Sequence, residues 1–180
     1  MTREERVDSL IRYLRNENDG YASIREPVNY DEKRRLLRSL MNVRWPGEAS
    51  EEFLARQDEF LTEEAEEKGI VDYADIPVIG DIYTCIGIKN MDRISLWRGD
   101  ITRLRADAIV NAANSQMLGC FVPCHGCIDN AIHSAAGLRL REACSRYMDD
   151  RRREDPDYEE PTGRAVLTPG FCLPCRYVIH

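Results

Sequence analysis

The chain has no surplus of basic residues. Over 180 residues its formal net charge is −7, which argues against a general binder of nucleic acids or membrane surfaces, because both targets are polyanionic. It has no long apolar run, and nothing approaches the ~18 consecutive apolar residues that a transmembrane helix needs. No basic start followed by an apolar core opens the sequence, so no secretory signal is expected. Internal repeats and low-complexity tracts are missing, which speaks against a solenoid. An even, dispersed cysteine set is missing too. The seven cysteines are odd in number and three of them crowd into residues 120–127. A secreted disulfide framework is therefore disfavoured, and a reducing cytoplasm is the expected compartment.

What is present is ordinary for a water-soluble globular protein: 43% hydrophobic and 32% charged residues, enough for one domain or a small domain plus an accessory part. The acidity is local. Between Glu48 and Ile76 stand eleven acidic residues against two basic ones, so the rest of the chain is weakly basic. This stretch reads as the solvated face of a helix.

The first ninety or so residues have helical periodicity. Val7, Leu10, Ile11 and Leu14 share one face, as do Leu36, Leu37, Leu40 and Met41 in a segment that begins near Asp31 and is stopped by Pro46-Gly47. Ser50 is placed to cap a third helix bearing Phe53, Leu54, Phe60 and Leu61, with Gly69 as its stop. The pattern changes near Arg93. Ile94 to Trp97 reads as a short strand, Gly99 to Thr102 as a turn, and Ala108 to Val110 as a strand buried on both faces. Cys127 to Ala136 and Leu138 to Met148 read as helices broken at Gly137, with further strands at Ala165 to Leu167 and from Arg176. This alternation predicts an α/β layered domain. The apolar end, Tyr177 to His180, is read as a truncated strand, since an exposed sheet strand invites aggregation.

The eleven residues from Cys120 to Asn130 carry most of the functional information. Cys120, Cys124, His125 and Cys127 fall in one short loop ahead of a helix bearing Asp129. Thiolates and imidazole are ligands that zinc prefers. Three of them would leave a tetrahedral ion one open, catalytic position; all four would make a closed structural site, for which adjacent Cys124 and His125 must turn to the same ion. Asp129 suits the first turn of a helix on electrostatic grounds alone. Asn111 and Asn114 could be turn residues after a strand, yet loops at the carboxyl ends of parallel strands are where open α/β sheets bind ligands. His133 reads as a helix-packing residue. Cys172 and Cys175 have C-x-x-C spacing but sit in a turn between strands, and Cys85 and Cys144 read as small core residues.

Leu96-Trp-Arg-Gly-Asp-Ile-Thr102 and Asp107-Ala-Ile-Val-Asn-Ala-Ala-Asn-Ser115 resemble the opening strands of a macrodomain, an α/β/α module that binds ADP-ribose. Gly119 through Gly137 is similar to the zinc-dependent subclass, whose members are protein-ADP-ribose hydrolases. The likeness continues through Thr162-Gly163, Thr168-Pro-Gly170 and Tyr177 to His180, and includes Leu40 to Arg44. It implies a three-layer α/β/α macrodomain, truncated after the strand at 176–180, with a helical extension over 1–92 and the macrodomain portion over 93–180. It implies one Zn2+ held by Cys120, His125 and Cys127. It further implies adenine contact by Asp100, a place at the distal ribose for Asn114 and Asp129, which act in catalysis, and ligand binding by Ile101 and Asn111 as well. The implied activity is removal of ADP-ribose from mono-ADP-ribosylated Asp or Glu side chains. Its expected partners are ADP-ribose and a modified protein, with a lipoylated carrier as candidate. The rival expectations are an ADP-ribose-binding module with a structural zinc, or an inactive fragment.

Overall fold

Three helices, each started by a side chain that closes its first turn, open this computed structural model, which describes residues 1–84 and 87–180. Helix α1 spans Arg3–Asn16, α2 spans Tyr30–Val43 and α3 spans Glu51–Lys68. Thr2 Oγ1 accepts from the Glu5 N–H while the Glu5 carboxylate accepts from the Thr2 N–H, a reciprocal cap. Asn29 and Ser50 cap the other two, and Gly69 at φ +80° ends α3. The apolar stripes meet in one buried cluster in which Val7, Leu10 and Leu14 pack with Leu37, Phe53 and Phe60.

Strand β1 (Val71–Asp72) pairs in parallel with β2 (Leu104–Arg105), and the short α4 (Ile79–Ile82) lies between them in sequence. Strand β3 (Ala108–Val110) leads through the cysteine loop to α5 (Ile128–Ala136) and α6 (Leu138–Arg152). The strands β4 (Leu167–Pro169) and β5 (Tyr177–Ile179) follow. The sheet order is β3-β5-β4, with β5 parallel to β3 and antiparallel to β4. Ile132, Leu140 and Met148 of the two helices pack on Ile109 and Val178 in a second core. Helix α5 also touches α2 and α3, so it lies between the sheet and the helical bundle. Among the described residues, no helix is long and apolar enough to cross a membrane.

Four expectations need adjustment. Ile94 to Trp97 is no strand: a single bridge joins Val78 to Ser95, and Leu96 is exposed, with no strand pairing along it among the described residues. Strand β3 is buried at Ile109 only, with Val110 in solvent, because β3 lies at the edge of its sheet. Strand β4 begins at Leu167 rather than Ala165, where pairing with β5 sets its register. The β1–β2 pair was not foreseen, since two residues are too few to show a period. Cys144 is fully buried, whereas Cys85 lies outside the described residues.

Buried polar contacts join residues 1–92 to the remainder. Helix α6 has no side-chain cap of its own; Gln57 of α3, with no exposed surface, accepts the Leu138 N–H at 3.0 Å. Gly137, at φ +85°, lets the chain pass, because a Cβ there would lie 2.5 Å from Gln57 Nε2. Arg141 of α6 donates to the carbonyls of Met41, Asn42 and Arg44 at the end of α2, and to Leu118 O at 2.8 Å. Burial lowers its pKa to about 10, so it stays charged at neutral pH. Arg141→Met is expected to lower stability by about 3 kcal/mol, because several buried carbonyls lose their donor together. Arg139→Met removes only partly exposed ion pairs to Glu51 and Asp58 and should cost under about 1 kcal/mol. Denaturant unfolding of the two variants checks the ranking.

Candidate functional site

The loop between β3 and α5 gathers three of its four candidate ligands. The ligand atoms of Cys120, His125 and Cys127 all lie within 4.8 Å of one another, and Cys120 Sγ is 3.6 Å from His125 Nδ1. Ordinary zinc–sulfur and zinc–nitrogen bonds in a tetrahedron give an S···N edge of about 3.6 Å and an S···S edge of about 3.8 Å. The Cys120–His125 separation matches the first of these edges, and the 4.8 Å limit on the other two leaves all three atoms close enough to share one ion.

Cys124 turns the other way. Its backbone is left-handed, at φ +52°, and its N–H donates to Asn42 Oδ1 at 2.9 Å. Its sulfur lies 3.3 Å from Ser39 Oγ and donates to Arg35 O, so it faces α2. Consecutive residues cannot easily aim both side chains at one point, and here they do not. The loop thus brings three candidate ligands together, with Cys124 outside that group.

Asn130, fully buried, fastens the loop. Its Nδ2 donates to Cys120 O at 3.3 Å and Val122 O at 3.0 Å, while its Oδ1 accepts from Arg38 of α2 at 2.7 Å. Its backbone N–H donates to Cys127 Sγ, the sulfur that caps α5. Phe121 adds an aromatic clasp, stacked on Trp45 at 5.1 Å and covered by the Arg141 guanidinium at 4.4 Å. Sequence reasoning missed Asn130, Asn42, Phe121 and Arg141. A polar residue in the first turn after a helix-capping ligand was the available signal for Asn130.

A second group lies beside the sheet. Asn111 leaves β3 with its N–H on Ile179 O, and its Nδ2 donates to Asp129 Oδ1 at 2.8 Å and to His180 Nδ1 at 3.1 Å. That leaves His180 Nε2 to donate to Thr168 Oγ1 at 2.9 Å. Burial raises the pKa of the Asp129 carboxyl, against the Asn111 hydrogen bond and the Arg141 charge, which lower it. Burial lowers His133 to about 3 and His180 to about 4, so both rings are neutral.

The remaining candidates stand apart from these groups. Asn114 is held by the local turn: its Nδ2 donates to Gly119 O and its Oδ1 accepts from the Gln116 N–H. Asp100 Oδ1 accepts from Thr102 N–H and Oγ1, capping a single helical turn, and Ile101 packs on the second core. Asp100 lines a cavity of about 470 Å³ that reaches Cys124 and is rimmed by Arg34, Arg35 and Arg38. Asn111, Asn114 and Asp129 are not among its walls.

Residues 110–180 match the model of the Macro domain family. The match runs from the end of β3 through β5. The whole chain is 49% identical to a protein-ADP-ribose hydrolase of Treponema medium, covering 64% of that protein. It is 37% identical, over 97% of its length, to a protein-ADP-ribose hydrolase of Staphylococcus aureus strain MRSA252, covering 60% of that protein. The chain therefore spans less than two thirds of either curated relative. The Trypanosoma brucei macrodomain in complex with ADP-ribose superposes with a TM-score of 0.49 at 27% identity, over 74% of this chain and 54% of that one.

The buried imidazoles of this chain give its stability a pH dependence. Each has a folded pKa below its unfolded value of about 6.5, so on acidification the unfolded chain takes up protons first. The stabilisation is complete above about pH 6.5 and is lost progressively towards the folded values. Melting temperature is expected to fall between pH 7 and pH 5. His133→Gln should flatten that slope by up to about 1.4 kcal/mol per pH unit, read from thermal melts across the range.

Proposed function

We propose that this chain forms the metal-binding part of a zinc-dependent hydrolase that removes ADP-ribose from mono-ADP-ribosylated protein side chains, the scissile bond being an ester to Asp or Glu. The observation that carries this reading is the convergence of Cys120, His125 and Cys127 with Cys124 turned away. Three protein ligands leave a fourth tetrahedral position, as catalytic zinc sites do. Similarity along the whole chain to the Treponema medium hydrolase supports the same activity class.

Bound there, the ion supplies a Lewis-acidic position for a ribose hydroxyl, the ester oxygen or a water. The chain's own residues orient the rest. Asn111 holds Asp129 Oδ1, which leaves Oδ2 to accept from a hydroxyl of the distal ribose. Asp100, with Oδ1 engaged by Thr102, has Oδ2 to accept from the adenine amino group, next to Ile101. Asn114 closes the turn that delivers Gly119 and Cys120 to the loop. The acceptor side of the substrate is a modified protein, and a lipoylated carrier is the candidate. The six described cysteines are unpaired, which suits work in a reducing cytoplasm.

One observation favours a second reading, an ADP-ribose-binding module whose zinc only braces the loop. Both polar ends of Asn114 are held by local backbone groups, which leaves that side chain less able to act in catalysis.

Metal analysis and turnover separate these readings. Zinc-loaded protein should release ADP-ribose from an ester-linked mono-ADP-ribosylated protein, and chelation should abolish release, with recovery on zinc addition. Full turnover after verified zinc removal would sink the hydrolase proposal. ADP-ribose binding with no release would favour the second reading. Cys120→Ala and Cys127→Ala should each lower zinc content well below one equivalent, whereas Cys124→Ala should keep it near one.

A further inference from the structure

Among the described residues, His133 is the one buried side chain near the site whose ring polarity has no evident structural use. It lies on α5 one turn beyond Asp129, and both residues face inward. Neither of its ring nitrogens has a hydrogen-bond partner among the described residues. A neutral imidazole must carry one N–H, and burying that donor unpaired is costly. If the residue served only to fill the core, an apolar ring would do so without that cost.

Two contacts show what the ring is set against. His133 Nε2 lies 3.5 Å from Asp129 Oδ1, just outside a good hydrogen bond. That oxygen already accepts from Asn111 at 2.8 Å. On its other side the ring lies under Gly119, where a Cβ would come within 2.8 Å of His133 Cγ. Gly119, at φ +79°, directly precedes Cys120. The ring therefore sets the approach of the chain into the cysteine loop and also faces the carboxylate at the start of α5.

The neighbouring side chains do not share this position. Cys144 and His180 come within 4.8 Å of His133, as metal ligands would. Both His180 nitrogens are engaged, by Asn111 and Thr168, and burial pushes the Cys144 thiol up to about 12. That cluster is not prepared to receive a cation.

We propose that His133 is a positioning residue. Its N–H and that of Asn111 bracket Asp129 Oδ1, turning Oδ2 towards the substrate, while its ring fixes the spacing between Gly119 and α5. The proposal rests on the hydrolase reading above. It goes beyond that reading by giving a role to a residue outside the metal ligands and the sugar-contacting set.

The test compares zinc-loaded wild type, His133→Phe and His133→Gln for ADP-ribose release from a modified protein, with zinc content and melting temperature measured on each. Phe keeps the ring against Gly119 and removes the donor; Gln keeps a neutral N–H of similar reach. The expected result is a fall in kcat of about tenfold or more for Phe, with KM, zinc content and melting temperature near wild type. Gln should restore kcat to within about threefold, in keeping with a shell that orients the reactive groups. A Phe variant with wild-type kcat overturns the proposal. So do equal losses in both variants accompanied by loss of zinc or a lowered melting temperature, which mark a structural role. A zinc-loaded wild type with no turnover removes the hydrolase reading and this role together; an active wild type matched by the Phe variant removes this role alone.

Discussion

The amide of Asn130 is the contact on which the site's geometry depends. One fully buried side chain bridges Cys120 and Val122 on one side of the loop and Arg38 on the helical bundle, while its own N–H meets Cys127. Each of these bonds taken singly is worth about 1 kcal/mol. Their value lies in sharing one rigid residue, since a shift of Asn130 would move a ligand, the cap of α5 and the docking of α2 together. The spacing of the three ligand atoms is thus a property of the helix start as much as of the loop.

This coupling explains why the helical bundle and the sheet cannot be read as independent parts. Arg141 supplies donors to the last carbonyls of α2, which a helix end otherwise leaves unpaired. The same guanidinium lies over Phe121 in the loop. A single buried charge thus ends one helix, braces the loop and lends its field to Asp129. Desolvation of the guanidinium opposes this arrangement, and four carbonyl contacts together with a π-face offset the opposition.

The helices were legible in the sequence because each has a complete local grammar. Ser50 and Gly69 bracket a period of buried Phe53, Leu54, Phe60 and Leu61, and the structure places α3 between them. The sheet was less legible. Strands of two or three residues are too short to show alternation, and their register is set by partners far along the chain, as in the pairing of Ile109 with Val178. Ile94 to Trp97 has a strand's composition without a strand's partner. Within the site, the clustering of Cys120, His125 and Cys127 could be anticipated from spacing and resemblance. The exclusion of Cys124 was implied by the resemblance, but the left-handed backbone and the bond to Asn42, eighty-two residues away, that turn it aside were not legible. The pairing of Asn111 with Asp129 likewise joins residues that share no local pattern.

The two polar groups of the site follow opposite electrostatic designs. At the loop, His125 is exposed and Cys120 and Cys127 are partly exposed, where water can reach them. Beside the sheet, Asp129 is buried among neutral imidazoles and an amide, so its carboxylate is held by the Asn111 donor rather than by solvent. A carboxylate of this kind cannot relax as freely as one in water, and its free oxygen points where the fold directs it. The chain's own contacts already bring the three candidate ligand atoms within 4.8 Å of one another. Rigidity at Asn130 and Arg141 is what links these designs, with an accessible set of ligands and a sheltered carboxylate attached to the two ends of one short capped helix start.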